Sequence, residues 1–388
     1  MKCISLLCVY SAGIGATYHL SRMAEALARL SREDEFELAV VGTRKEQNPG
    51  NWARIQAVYP SNRIFMLDDE QASLQKLVES LLNLHERVLI TVQGLTQLRS
   101  LLPLKRRVGD RLTISLIMNS FRVGEWKRYV VSCLSSLLCR RYVDYTIFLS
   151  PASAEYFVGS RVLFQTGRAG ILPLGVEDFT VDDSVIEPPD TKVRDLCMGS
   201  GDTPFRLVYL ANFHQNKNQR WLITALAPLL KERPNSQLLL LGEGIYLEEA
   251  EQLAEGLGVT RQICFPGRVD RRYVPWVLSR CHVGIVASQF ETFGHAYIEP
   301  MIAGLPVVGT RTGIGKEVIR DFVTGFGFNL GDALSLRQYV RFLMDHPILG
   351  KEMGEQGRRV VVSNLLWPLI GSAYLRLYSH LLSVSMEQ

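Results

Sequence analysis

Short apolar runs alternate with amphipathic stretches along most of the chain. The first run, CISLLCVY at residues 3–10, leads through the glycine turn SAGIGA into a stretch with helical periodicity. Its apolar residues at that spacing are Leu20, Met23, Ala24, Leu27 and Leu30. Continuously apolar runs are typical of strands buried on both faces, so the alternation predicts parallel sheets covered by helices on both sides.

The same pattern begins a second time at residue 205 with FRLVYL, and further apolar runs follow it. An acidic, proline-rich stretch separates the two halves and is typical of a linker. The sequence therefore predicts an α/β protein with two Rossmann-like, doubly wound domains that face a central cleft. The predicted boundaries are 1–175 for the first domain, 176–204 for the linker, 205–365 for the second domain and 366–388 for a terminal helix.

Composition narrows the classes of function. The chain has 388 residues, 47% apolar and 21% charged, and its net charge of +4 argues against a general nucleic-acid binder. The 7 cysteines never form a C-x-x-C motif, which is typical of reduced thiols in a cytosolic protein. No apolar stretch reaches the ~18 residues that span a bilayer.

Two glutamates with seven residues between them follow the apolar run VGIVAS. We predict a helix from near Thr292 to the Gly304 region, with Glu291 in the loop before it and Glu299 about two turns inside. The first amides of such a helix form an anion site, and Gly294 has no side chain to block it. Spacing alone leaves a second interpretation open, in which one glutamate caps the helix and the other is solvated.

The segment FETFGHAYIEPMIAGLPVVGTRTGIGKEVI resembles the donor-site signature of retaining GT-B glycosyltransferases of the Glu-x7-Glu type (glycosyl transferases group 1). The resemblance is strong over residues 205–330 and poor over 45–165. It implies that Glu291 contacts hydroxyls of a donor sugar and that Glu299 binds the ribose of its nucleotide. It also places Phe293, Gly294 and His295 beside the donor.

The stretch YLANFHQNKNQRWLI resembles the family's diphosphate-binding element. Lys217 stands where the family has its lysine, at the predicted start of a helix, but Asn212 replaces the usual arginine and brings no charge. Arg220 is a candidate substitute cation, and a solvated lysine in a turn is the other interpretation of Lys217. In FPGRV, the backbone groups of Arg268 and Val269 are expected to contact the base.

In the first domain the resemblance implies a glycine pair at Ile14 and Gly15, where only Gly15 is a glycine, assisted by Gly13. An ordinary tight turn is the other interpretation of these glycines. The family's histidine near the donor sugar is missing, and Asn119 is the candidate to bond a sugar hydroxyl in its place. That the terminal helix crosses back to the first domain is implied by a family resemblance of its segment WPLIGSAYLRLY.

The resemblance implies transfer of a hexose from a UDP- or GDP-sugar to a hydroxyl of a glycan or lipid-linked acceptor, with Lys217 and Glu291 as catalytic residues. The pathways in which the family usually acts suggest surface polysaccharide biosynthesis, such as that of lipopolysaccharide, capsule or exopolysaccharide. No D-x-D motif occurs, so we expect no metal and no other cofactor. Asn212 and the missing histidine keep open a non-catalytic sugar-nucleotide or membrane-binding subunit; an epimerase of similar architecture is a third alternative.

Residues 99–141 are strongly basic, with apolar side chains interleaved. The pattern fits a solvated helix face, and it also fits a docking surface for anionic lipid or a polyprenyl-diphosphate-linked acceptor. On the second interpretation we expect a cytoplasmic protein that is peripheral on the inner face of the plasma membrane.

Overall fold

The computed structural model describes residues 3–8, 14–31, 36–43, 49–68, 72–93, 95–118, 136–157, 160–179 and 204–383, without the side chains of 14–18, 49–51 and 72. The chain folds into two compact units. The first comprises Met1–Gly175 together with Leu365–Gln388, and the second comprises Val176–Asn364. Each unit contains one parallel sheet with helices, which confirms the predicted α/β class with two doubly wound sheets, the GT-B fold class.

The first unit is built on a parallel sheet of seven strands in the order β3-β2-β1-β4-β5-β6-β7. The strands are β1 Ile4–Cys8, β2 Glu37–Thr43, β3 Ile64–Leu67, β4 Val88–Val92, β5 Leu112–Met118, β6 Tyr145–Phe148 and β7 Ala169–Ile171. The central strands β1, β4 and β5 are buried along their whole length, as their predominantly apolar sequences predict.

Helices cover this sheet and supply the rest of its core. They are α1 Ile14–Leu30, α2 Pro49–Val58, α3 Ala72–Leu84, α4 Leu95–Val108, α5 described over 136–142, α6 Pro151–Glu155 and α7 Ser160–Gln165. Leucines at helical spacing in α3 and α4 are fully buried against the strands, for example Leu74, Leu98 and Leu101. The periodic apolar face is therefore what attaches each helix to the sheet.

The second unit repeats the plan with six parallel strands in the order β10-β9-β8-β11-β12-β13. The strands are β8 Phe205–Leu210, β9 Ser236–Leu241, β10 Ile263–Gly267, β11 Val283–Val286, β12 Val307–Thr310 and β13 Gly325–Phe328. The helices are α8 Gln219–Glu232, α9 Leu247–Gly256, α10 Val274–Leu278, α11 His295–Ile302, α12 Gly315–Val318, α13 Ala333–Asp345 and α14 Pro347–Asn364.

The last helix, α15 Trp367–Ser383, belongs to the first unit although it follows the second in sequence. Tyr374 and Tyr378 are completely buried there. The Thr91 hydroxyl donates to the Tyr378 hydroxyl at 3.0 Å, and Arg87 donates to the carbonyl of Leu382 at 2.6 Å. The apolar stripe of this helix is thus buried against α1 and the sheet of the first unit.

In the second unit the strand order reverses between β8 and β11, which lie side by side. In open α/β sheets, ligands bind at the carboxyl ends of the strands where the strand order reverses. The loop after β8 contains Lys217, and the loop after β11 contains Glu291. The topology therefore brings together residues that are 74 positions apart.

Candidate functional site

The loop after β8 holds Lys217 in a short 3-10 turn, Gln215–Lys217. The His214 side chain caps this turn by accepting from the amide of Asn216 at 3.2 Å. Asn218 then takes the left-handed conformation with φ 60°, and α8 begins only after it. Lys217 was predicted at the start of the helix. It lies instead in the separate turn before it, because the left-handed residue interrupts the helical backbone.

Direct hydrogen bonds join this loop to the loop after β11. The amide of Gln289 donates to the carbonyl of Asn216 at 2.8 Å, and the Asn216 side chain donates to the carbonyl of Phe290 at 2.7 Å. Asn216 therefore uses both its backbone and its side chain to hold the two loops in register.

At the centre of the site, the ammonium group of Lys217 forms an ion pair with the carboxylate of Glu291. The Ser288 hydroxyl donates to the same carboxylate oxygen at 2.7 Å. The Tyr209 hydroxyl lies 2.8 Å from the Ser288 Oγ and donates to the carbonyl of Lys217 at 3.1 Å. These four residues form a closed ring of polar contacts that fixes both the backbone and the side chain of Lys217.

Burial, with the nearby charge of Glu291 in second place, raises the pKa of Tyr209 well above its usual range. Both Tyr209 and Ser288 are almost inaccessible to solvent. The tyrosine therefore stays protonated and acts as a hydrogen-bond donor, since a buried phenolate beside a carboxylate is unfavourable.

Helix α11 begins at His295, three residues later than predicted, because Gly294 at its N-cap has φ 101° and ψ 70°. This left-handed backbone is accessible to glycine and strained for other residues. Glu299 is consequently the fifth residue of the helix, just over one turn inside. It is only 9% exposed and forms an ion pair with Arg271, so a solvated carboxylate is the wrong interpretation.

Arg271 comes from the loop after β10 and reaches into the site with a side chain that is 40% exposed. Together with burial as the first cause, Arg271 and Lys217 hold the pKa of His295 well below its usual range. The imidazole is therefore neutral near physiological pH. The structure thus gathers two acids, Glu291 and Glu299, and their two cations around the start of α11.

Phe293 is 2% exposed, and its ring meets the imidazole of His295 at 4.8 Å between centroids. Its carbonyl accepts from the amide of Ile314 at 2.7 Å. The side chain is thus part of the core, so a contact of this residue with the donor sugar would involve only its backbone. The hydrogen bond attaches the loop after β12 to the loop that holds Glu291.

Gly313 lies where that loop passes closest to Glu291. It has φ 52°, and a Cβ placed on it would lie 2.4 Å from the Phe293 carbonyl oxygen and 2.6 Å from the Glu291 Cβ. Only a glycine allows this approach. The position of Glu291 therefore depends on Gly313 as well as on Ser288.

The remaining predicted residues of the second unit lie at the surface. Asn212 is exposed, and its carbonyl accepts from the Gln219 side chain at 2.9 Å. Arg268 pairs with Glu243 at 3.4 Å, and Val269 is partly buried. The candidate substitute Arg220 pairs with Glu249 at 2.9 Å, and both side chains are largely exposed.

In the first unit, Gly15 is the second residue of α1, and Gly13 and Asn119 lie outside the described residues. Within the described parts of the chain, no cluster of three or more histidine, cysteine, aspartate or glutamate side chains is arranged to hold a metal ion. In those same parts, every helix is too short or too polar to cross a membrane. Metal-independent chemistry remains a prediction.

Three residues of this site were not identified from the sequence. Ser288 precedes Glu291 by three positions, Tyr209 is the next-to-last residue of the buried strand β8, and Arg271 is one of three arginines in the loop GRVDRR. The sequence carries no specific signal for these residues. The apolar run around Tyr209 explains it as a core residue, and the charged loop around Arg271 explains that arginine as a solvated charge. Only the strand order shows which residues they contact.

Comparison with known proteins identifies the segment that carries this site. Residues 198–360 match the family model described as glycosyl transferases group 1. The matched residues make up most of the second unit, which is therefore similar to the group 1 glycosyltransferases. The predicted family resemblance is thereby confirmed for this segment, while the retaining stereochemistry stays a prediction.

Relatives of the group 1 domain occur in several bacteria. EpsD of Bacillus subtilis is 31% identical over 164 residues, a match that spans 42% of each chain, less than half of that relative. The GDP-mannose-dependent alpha-(1-6)-phosphatidylinositol monomannoside mannosyltransferase of Mycolicibacterium smegmatis is 27% identical over 71% of this chain and 72% of its own. Among solved structures, Anabaena HepE in complex with UDP and glucose superposes with a TM-score of 0.72 at 17% identity, covering 98% of this chain and 99% of its own.

Proposed function

We propose that this protein is a retaining glycosyltransferase that moves a hexose from a UDP- or GDP-sugar to a hydroxyl of a glycan or lipid-linked acceptor. The observation that carries the proposal is the ion pair between Lys217 and Glu291 inside a group 1 domain, at the reversal of strand order. The similar proteins support both UDP and GDP as the nucleotide of the donor, since the HepE structure contains UDP and the Mycolicibacterium enzyme depends on GDP-mannose. The acceptor we propose belongs to surface polysaccharide biosynthesis.

The proposed chemistry needs no side-chain nucleophile. The bond between the anomeric carbon and the phosphate oxygen breaks, and a bond from the acceptor oxygen to the same carbon forms on the same face. Negative charge develops on the departing diphosphate as its bond to the anomeric carbon breaks, and this phosphate then accepts the acceptor's proton. Lys217 and the amides at the start of α11 stabilise that charge, and Glu291 orients the sugar hydroxyls while Glu299 holds the ribose.

A panel of UDP- and GDP-sugars tests the proposal directly. The purified protein should release nucleoside diphosphate from at least one donor, slowly with water and faster with a glycan acceptor, and NMR should show the anomeric configuration retained. Binding without any turnover, on the panel and with acceptors supplied, would instead favour the non-catalytic subunit. Conversion of the donor to its epimer without an acceptor would favour the epimerase.

We also propose that the basic region brings the protein to an anionic membrane where its acceptor resides. In the described part of this region, Arg106 and Arg141 both donate to the exposed hydroxyl of Tyr142, at 2.9 and 3.0 Å. Two guanidinium groups that converge on one neutral partner retain their positive charge for headgroups.

Sedimentation with vesicles tests this proposal. Binding to vesicles of phosphatidylglycerol should fall several-fold in the double variant Arg106→Gln, Arg141→Gln, and vesicles of phosphatidylcholine alone should bind neither protein. Equal binding of wild type and variant to the anionic vesicles would remove this surface from the proposal.

A further inference from the structure

Both acidic side chains of the site have a dedicated cation in the structure. Glu291 pairs with Lys217, and Glu299 pairs with Arg271. The two glutamate side chains are only 11% and 12% exposed, so their charges lie mostly out of water. A buried carboxylate that loses its cation without a replacement is strongly unfavourable, which makes the two ion pairs a charge-balanced set.

A nucleotide sugar can exchange partners with both pairs at once. Its ribose and sugar hydroxyls donate to carboxylates, and its two phosphates accept from cations. When the hydroxyls occupy Glu291 and Glu299, the ammonium and the guanidinium are released toward the phosphates. Each charged group therefore has a hydrogen-bonding partner both before and after this exchange.

Resting on the proposed function, we propose that Arg271 is a diphosphate-binding residue, exchanging Glu299 for phosphate oxygens when the donor binds. One lysine supplies a single charge, and a diphosphate carries at least two. A guanidinium fork can bond two phosphate oxygens at once, a geometry that an ammonium group lacks.

The position of Arg271 supports this role over the other candidate cations. Lys217 pairs with Glu291, just before α11, and Arg271 pairs with Glu299 within it, so both cations lie beside the helix whose first amides would stabilise an anion. Arg220 and Arg268 are paired with the exposed acids Glu249 and Glu243 instead. Arg271 is therefore the arginine that accompanies Lys217 into this site.

The test compares a nucleoside diphosphate with its nucleoside, which lacks the phosphates. Isothermal titration first establishes whether wild type binds UDP or GDP. Arg271→Gln should then lower the affinity for the nucleoside diphosphate on the order of 10- to 100-fold, because a charge-assisted contact is lost. The same variant should bind uridine or guanosine at least as tightly as the wild-type protein does, since Glu299 no longer has to release a cation. Arg271→Lys, which keeps the charge and loses the fork, should fall between.

Arg272→Gln is the matched control, because it removes the same charge from the next position, where Arg272 pairs with Asp270 at 2.8 Å. It should leave both affinities unchanged. An equal loss for diphosphate and nucleoside in Arg271→Gln would overturn the proposal, as would no loss for either. If wild type binds neither UDP nor GDP, the proposed function fails as well; if wild type binds and only the variant effect is absent, the function stands without this role for Arg271.

Discussion

Lys217 is the residue on which the proposed chemistry depends most. Its carbonyl accepts from Tyr209 and its ammonium group pairs with Glu291, so it is held at both ends. Lys217→Ala should lower kcat on the order of 10²-fold or more, because the departing diphosphate loses the positive charge that stabilises it. Donor turnover by the purified variant measures this, and near-normal turnover would remove Lys217 from the mechanism. Lys351→Ala, on an exposed turn of α14, is the control.

Tyr209 acts on the same lysine from the buried side. Tyr209→Phe keeps the ring and removes the hydroxyl that contacts Lys217 and Ser288. Because buried polar groups then lack this partner, the free energy of unfolding should fall by about 1–3 kcal/mol. We expect kcat to fall about tenfold with KM little changed, since the residue positions Lys217 without touching the donor. Steady-state kinetics beside Tyr339→Phe, which removes a hydroxyl from α13, should separate this effect from a general loss of stability.

At the scale of elements, three loops after β8, β11 and β12 build the site together. The loop after β12 is attached by the hydrogen bond from Ile314 to Phe293 and by the glycine contact at Gly313. The position of Glu291 is thus set by an element that follows it by some twenty residues. Loops held this way keep a site in one geometry because each restrains the others.

Gly313→Ala tests that arrangement. The added methyl group would meet the Phe293 carbonyl oxygen at 2.4 Å in a left-handed backbone, so the loop must move and Glu291 with it. We expect activity to fall at least tenfold, with about 1–3 kcal/mol lost in the free energy of unfolding. Gly256→Ala, at a helix end where nothing lies within 4 Å of the added Cβ, should keep both activity and stability. Full activity in Gly313→Ala would mean that the loop adapts without disturbing the site.

At the scale of the whole molecule, two histidines of the second unit make its stability depend on pH. Burial first, and then the charge of Arg206, lower the pKa of His282, whose Nδ1 accepts from the amide of Arg206 at 3.0 Å. The pKa of His295 is lowered as well. Below the unfolded-state pKa of ~6.5 the unfolded chain takes up protons that the folded protein does not, so stability is lost as pH falls.

Urea unfolding between pH 7.5 and pH 5.5 measures this dependence. The midpoint should fall as the solution becomes more acidic, and His282→Gln should reduce the slope while His295 retains part of it. A midpoint that rises on acidification would show that other groups dominate. Trp221 and Trp276 lie in the second unit, so a variant that keeps only these two of the 5 tryptophans would report on the unfolding of that unit.

The sequence alone determined the strand–helix alternation and the two doubly wound sheets, because apolar periodicity is a local property of the chain. It also singled out Lys217, Glu291 and Glu299 as candidates, through short motifs that resemble a family signature. It did not determine that Glu299 pairs with Arg271, that Tyr209 and Ser288 hold Lys217, or that Gly294 delays the start of α11. Those facts depend on which strands are neighbours and on backbone angles at single glycines. They are decided only when the sheet assembles, since an ion pair between distant residues leaves no local pattern in the sequence.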